Sequence, residues 1–263
     1  MSEFFGWGGY SRTPEGYMSW QHLLFSTVWL IAFVLAGVFV GLWGKKQEGK
    51  LKNRPLLIAA IIIDSFELFR IIFLCFREHD PWNWRMNLPL FLCSIQFITI
   101  PMAALTKGRV KEACLDFVFC FGILGAVMGN YFAGQNFAAY PVMSFDNMAS
   151  AITHSISGFA SLYIVISGMA SMKWKNMAIT CSIMVGVGVL AYIADITIPY
   201  NYMFLMRGDG TPYDIFYNLV NGNPVLYPLI VIGLFFAYIA VFYGCYNLIV
   251  SLAYKRKAAK SNA

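Results

Sequence analysis

Apolar residues run along this chain in blocks of spanning length, separated by short polar stretches. Seven such blocks are visible, at about 23–43, 55–76, 88–105, 114–131, 148–170, 174–198 and 224–253. A bilayer core about 30 Å thick needs about 20 apolar residues per helix, so the pattern predicts seven transmembrane helices. Pro101 interrupts the third block, and the fourth is short. No repeat, low-complexity run or linker divides the chain, so residues 1–263 are expected to form one helical membrane domain. Gly125 with Gly129, and Gly186 with Gly188, are small enough to let helices approach closely, which makes packing their expected role.

Composition supports this pattern: 59% of residues are hydrophobic and 12% charged, against about 45–50% and about 25% in an ordinary soluble domain. The formal charge of +6 invites a polyanionic partner. All the basic residues but Arg70, however, sit between the apolar blocks or at their ends, where they read as topology signals, and nucleic acid is not expected. One set of alternate loops holds Lys45, Lys46, Lys50, Lys52, Arg54, Lys107, Arg109, Lys111, Lys173, Lys175, Lys255, Arg256, Lys257 and Lys260. The other set holds only Arg12, Arg77, Arg85 and Arg207. Cytoplasmic loops carry the basic excess, so the N-terminus is expected outside the cell membrane and the C-terminus in the cytoplasm. Glu3, Phe4, Phe5 and Trp7 lead into the first block without a basic region, so that block is expected to be a retained helix rather than a cleaved signal.

Ionisable groups inside a bilayer are costly and call for partners or a function. Asp64, Glu67 and Arg70 fall in the second block at every third position, His154 in the fifth and Asp195 in the sixth; Gln96, Ser155 and Ser157 add uncharged polar groups. An ion pair within the bundle accounts for Glu67 and Arg70 as well as a functional role does. At a rise of about 1.5 Å per residue, Arg70 lies about 9 Å below the outer end of its helix, Cys93 about 8 Å and His154 about 9 Å. Asp195 lies near the outer end of the sixth helix, followed by Asn201 and Tyr202. Four helices thus bring polar or reactive groups to one level, which predicts a polar cavity open toward the outer leaflet. Asp64 lies deeper and falls outside that explanation.

The six cysteines have no metal-like spacing, so no metal site is expected, and nothing in the pattern calls for a cofactor. Cys75 and Cys93 share the outer half, which leaves a disulfide open. A thiol opposite an imidazole is an activated nucleophile, so Cys93 with His154 is the alternative carrying chemistry. His22 and His79 lie at or beyond helix ends and are expected at the surface.

The run Asn87-Leu88-Pro89-Leu90-Phe91-Leu92-Cys93, His154-Ser155, Asn201-Tyr202-Met203-Phe204-Leu205 and Gly222-Asn223-Pro224 to Pro228 together resemble the YwaF-like family of bacterial integral membrane proteins. The resemblance covers roughly 20–250. That family is distantly similar to the transmembrane protein 164 group, whose members act as phospholipid acyltransferases through an acyl-cysteine. Carried over by position, the resemblance implies Cys93 as acyl-accepting nucleophile and His154 as its general base, with membrane phospholipids as partners. Asn201 and Tyr202 match a motif to which the resemblance assigns no role. Phe91 departs from the pattern, because relatives often carry His or Gln there.

The residues leave several functions open. One is an acyltransferase at an outer-leaflet site, with Cys93 and His154 catalytic and Arg70, Gln96, Asp195, Asn201 and Tyr202 binding substrate. Another is a transporter or channel using Asp64, Glu67, Arg70 and Asp195. A seven-helix receptor and a non-catalytic subunit of a membrane complex, with another protein or a second copy as partner, complete the set. No apolar block holds a lysine in its interior, since Lys175 stands at the very start of the sixth, which disfavours retinal binding.

Overall fold

The computed structural model describes residues 2–261, without the side chains of Ser2 and several C-terminal residues, Lys257 and Lys260 among them. The described residues are helical with connecting turns. In chain order the helices are α1 (Ser2–Phe5), α2 (Trp20–Lys45), α3 (Gly49–Arg77), α4 (Gln96–Leu105), α5 (Gly108–Tyr131), α6 (Gly134–Ala139), α7 (Phe145–Ile166), α8 (Trp174–Thr197), α9 (Asp214–Leu219) and α10 (Leu226–Ser261). Short 3-10 turns cover Asn83–Asn87 and Tyr202–Phe204.

Five of these are long and apolar enough to cross a membrane: α2, α5, α7, α8 and α10. The two remaining blocks of the sequence pattern differ for separate reasons. Helix α3 has the length, at 29 residues, but carries Asp64, Glu67 and Arg70 near its middle. The third block is not the continuous helix that its hydropathy suggests, because only Gln96–Leu105 is α-helical. Leu88–Ile95 instead forms tight turns, in which Leu90 N–H donates to Leu88 O at 2.7 Å, Ser94 N–H to Phe91 O at 2.9 Å and Gln96 N–H to Cys93 O at 3.3 Å. Pro89, which lacks an N–H donor, lies within that break.

The centre of the bundle is the α2–α7–α5 group, and its close contacts depend on missing side chains. A Cβ on Gly37 or Gly41 of α2 would stand 2.7 or 2.8 Å from Leu162 or Ile166 of α7. One on Gly122 of α5 would meet the Ser157 carbonyl at 2.6 Å, and one on Gly158 would meet Ala126 Cβ at 2.7 Å. These glycines set the helix separation, as small residues do where lipid supplies no hydrophobic drive for helices to associate. Gly188 also packs closely, against Ile232, whereas Gly186 faces open space. The outward faces carry the opposite pattern: Leu24, Val28, Ile31, Leu35, Phe39 and Leu42 of α2 are all exposed, as lipid-facing residues are.

Asp116, a fully buried carboxylate of α5, ties three further segments together. It accepts from Ser171 N–H at 3.0 Å, Ser171 Oγ at 2.9 Å, Met172 N–H at 2.8 Å and Tyr243 Oη at 3.1 Å. Tyr243 also hydrogen-bonds Thr180 Oγ1 at 3.0 Å, and Asn247 Nδ2 donates to Met172 O at 3.0 Å. The loop after α7 and helices α8 and α10 are thereby fixed to α5. A buried acceptor with this many donors leaves several of them unpaired when it is removed. Asp116→Ala is therefore expected to destabilise the protein by about 3 kcal/mol, read as a fall in melting temperature of the detergent-solubilised chain. A melting temperature equal to that of the natural sequence would show that the network does not carry the attachment.

Candidate functional site

At the end of the bundle where the N-terminal segment packs, α3, the Leu88–Ile95 turns and α7 surround a cavity of about 680 Å³. Glu67, Arg70 and Arg77 line it from α3, Phe91, Cys93 and Ser94 from the turns, and Ser150, Thr153, His154 and Ser157 from α7. Because the backbone at Cys93 is not helical, the thiol projects from a turn at the head of α4 rather than from the flank of a helix. Irregular backbone away from water needs internal hydrogen-bond partners, and the turns supply them at Leu90, Ser94 and Gln96.

Cys93 and His154 line the same cavity, from the turns and from α7. The imidazole is oriented from its far side: Nδ1 is 2.7 Å from the Ser150 carbonyl and 3.3 Å from Ser150 Oγ. A carbonyl only accepts, so Nδ1 carries the proton and Nε2 keeps its lone pair. Helix α5 supplies the floor. A Cβ on Gly129 would stand 2.1 Å from His154 Cδ2 and 2.2 Å from Nε2, and one on Gly125 would stand 3.7 Å from Cys93 Cβ. One turn of α5 thus presents a glycine beneath each member of the pair. Their role is to make room for the site rather than for a neighbouring helix.

Most charged groups around the cavity are paired, whereas Asp80 accepts from Trp82 N–H at 2.8 Å. Arg70 donates from Nε to Glu67 Oε2 at 2.8 Å and from Nη2 to Oε1 at 2.5 Å. Arg77 makes a two-pronged contact with Asp146, at 2.6 and 3.1 Å. Tyr10 donates to the same Asp146 at 2.5 Å, and the Phe5 carbonyl accepts from Arg77 at 3.3 Å. Phe5 also packs on Phe73 and Phe145, and through Arg77 and Asp146 the N-terminal segment is anchored to residues that line the cavity. Burial and the neighbouring Asp146 carboxylate hold the Tyr10 hydroxyl protonated well above the ordinary tyrosine range. Asp146 and Ser150 carry no signal in the hydropathy pattern. Their position one and two turns before His154 on the same helix face is the only clue the sequence offers.

Of the polar residues singled out in the sequence, the cavity gathers Glu67, Arg70, Cys93, His154 and Ser157. Gln96 is fully buried but does not line the cavity, and its Oε1 accepts from Thr99 Oγ1 at 3.2 Å. Asp195, Asn201 and Tyr202 also stand outside the lining. Asp195 Oδ1 accepts from Tyr202 N–H at 2.6 Å. Asn201 Nδ2 donates to Arg207 O at 2.8 Å and Asp209 Oδ2 at 2.7 Å, and its Oδ1 accepts from Met206 N–H at 2.9 Å. Asp64 remains apart on α3, its Oδ1 unpartnered among the described residues. Phe91 packs against Tyr200, Tyr202 and Phe204 with ring centroids 5.9, 5.2 and 6.2 Å away, so the aromatic residue here serves packing.

Two expectations are corrected. His22 is not a surface residue: it is fully buried, its Nδ1 accepting from Met18 N–H at 3.1 Å and its Nε2 standing 3.1 Å from the Asn130 carbonyl. Phe137 packs against its ring at 3.9 Å. A histidine at a helix start is drawn inside here because α5 ends beside it with a carbonyl to satisfy. The disulfide between Cys75 and Cys93 does not form; both are free, with Cys75 Sγ near the Pro81 carbonyl at 4.0 Å. Among the described residues no three His, Cys, Asp or Glu side chains gather as metal ligands.

The glycine floor makes an asymmetric prediction. Gly125→Ala adds a methyl group at ordinary contact distance and is expected to leave stability within about 0.5 kcal/mol. Gly129→Ala drives a methyl into the His154 ring and is expected to cost about 1–3 kcal/mol, together with a slowed alkylation of Cys93. Equal melting temperatures and alkylation rates for the two variants would remove the floor from the account.

No curated protein and no solved structure matches the chain. A family model, that of the TMEM164 family, matches residues 17–246, a stretch holding the cavity-lining Cys93 and His154 and the glycine floor. With most of its length matched, and with apolar helices long enough to cross a bilayer, this chain belongs to the TMEM164 family of membrane proteins.

Proposed function

We propose that this protein is an acyltransferase acting on membrane phospholipids, with Cys93 as the acyl-carrying nucleophile and His154 as its general base. The observation that carries this reading is the placement of the pair: Cys93 and His154 line one cavity, and the Ser150 carbonyl takes the Nδ1 proton, which leaves Nε2 as the base. Nε2 takes the thiol proton as Sγ attacks the ester carbonyl carbon of a donor lipid. The carbon–oxygen ester bond breaks, the leaving glycerol oxygen collects the proton from Nε2, and the acyl group stays on Cys93 as a thioester. The hydroxyl of a lyso-lipid acceptor then gives its proton to Nε2 and attacks the thioester, returning the thiol. Two Arg70 nitrogens are committed to Glu67, which leaves Nη1 for a phosphate oxygen. The charged-pathway alternative has less support, because Glu67 and Arg70 neutralise each other and Asp195 holds the Tyr202 amide.

In this reading all 263 residues form one membrane domain that crosses the bilayer seven times, through α2, α3, Leu88–Leu105, α5, α7, α8 and α10. The N-terminus lies outside and the C-terminus in the cytoplasm. The distribution of Lys and Arg supports that orientation, and pairing with Glu67 makes Arg70 tolerable in a spanning helix. The cavity then opens at the depth of the lipid ester groups of the outer leaflet.

In proteoliposomes holding an acyl-labelled phospholipid and an unlabelled lyso-lipid, the natural sequence is expected to move label to the acceptor. Cys93→Ala is expected to abolish transfer, His154→Ala to slow it about 10²–10⁴-fold, and Cys120→Ala to leave it unchanged. Transfer that survives Cys93→Ala at full rate would refute the mechanism. For orientation, Ser11→Cys is expected to react with a membrane-impermeant thiol reagent in intact cells, and Lys50→Cys only after permeabilisation. The reverse labelling would invert the topology.

A further inference from the structure

The segment that carries Cys93 lacks the hydrogen bonds a helix would give it, and its position depends on what holds it from outside. Tyr202, in the loop between α8 and α9, is the residue that reaches it. Its hydroxyl donates to the Arg85 carbonyl and accepts from Leu88 N–H at 3.2 Å, gripping the chain where it enters the break. Its ring packs on Phe91, two residues before Cys93, with centroids 5.2 Å apart. The side chain is fully buried, so no solvent competes for these bonds.

Tyr202 is itself held at its backbone, where Asp195 Oδ1 accepts its N–H at 2.6 Å. Directly after it, Met203 and Phe204 adopt left-handed φ of 53° and 57°. Bulky residues take that conformation only where the surroundings over-determine it. Asn201 closes the loop behind through its bonds to Arg207, Asp209 and Met206. The strain and the bonds serve one placement, that of the Tyr202 side chain against the 85–91 segment.

We infer that Tyr202 is a positioning residue for Cys93, and that Asp195 acts through it by fixing its backbone. Both act on the register between the thiol and His154 and touch neither substrate nor the reacting atoms. The inference deepens the proposed acyl-transfer reading, but its test reads thiol chemistry and stands or falls without any lipid substrate.

The experiment measures the alkylation rate of Cys93 by iodoacetamide in purified protein, with and without His154→Ala, in the natural background and in Tyr202→Phe. Phenylalanine keeps the ring on Phe91 and deletes only the hydroxyl. In the natural background His154→Ala is expected to slow alkylation on the order of tenfold or more, since small misplacements of a reacting pair carry effects of that size. In Tyr202→Phe the histidine dependence is expected to shrink to less than about threefold, because the thiol no longer sits opposite the imidazole. Asp116→Asn serves as the structural control: it lowers the melting temperature while keeping the full histidine dependence. Tyr202→Phe that melts normally and retains the full histidine dependence overturns the inference. If Tyr202→Phe does not fold, the same comparison in Asp195→Asn decides, with the same two outcomes.

Discussion

A buried polypeptide backbone needs a hydrogen-bond partner for each polar group, and this molecule interrupts a helix within an apolar stretch in spite of that constraint. Leu88–Ile95 carries the interruption, and much of the surrounding structure meets its needs. Tight turns satisfy Leu90, Ser94 and Gln96, while the Tyr202 hydroxyl satisfies Leu88. What remains of the third apolar block is the ten-residue helix α4, with Cys93 at its head. A continuous helix would have pointed this side chain sideways into its own row of neighbours. The break instead directs it into a cavity shared with His154.

The remainder of the site is built on rigid helices, which suits a pair that must be held in one geometry. Helix α7 carries both His154 and, one turn earlier, the carbonyl that fixes its tautomer. Helix α5 contributes by omission, with Gly129 clearing space for the imidazole and Gly125 clearing it beside the thiol. Four of the charges lining the cavity are partnered within it, Glu67 with Arg70 and Arg77 with Asp146. Pairing of this kind lets ionised groups persist in a low-dielectric setting where lone charges would not. The opposite end of the bundle is fastened independently by Asp116, so the site and the frame rest on separate polar networks.

Much of this was legible in the sequence, because hydropathy reports directly on the solvent a helix faces. The spanning lengths of α2, α5, α7, α8 and α10 follow from it, and counting residues from block ends brings Arg70, Cys93 and His154 to one level. Hydropathy is blind to backbone continuity, however. Leu88 to Leu92 is apolar apart from the proline and reads as helix, whereas Pro89 and the external hydrogen bonds make it a set of turns. The same blindness assigned His22 to the surface, since its burial is set by the Asn130 carbonyl more than one hundred residues away. Asp116 was passed over because it stands two residues inside the fourth block, and its donors come from a loop and from α10. Asp195, Asn201 and Tyr202 were rightly noticed as an unusual polar group at a helix end. Their bonds run to the backbone around Cys93 and to their own loop instead of into the cavity.

The central claim is that Cys93 carries an acyl group during the reaction. Peptide mass spectrometry of the purified protein, after incubation with a phospholipid bearing a labelled acyl chain, tests it most directly. The account predicts a labelled adduct on the peptide containing Cys93, released by neutral hydroxylamine as a thioester is, and absent when His154 is replaced by alanine. Labelled product formed with no adduct on Cys93 under quenched, single-turnover conditions would contradict it.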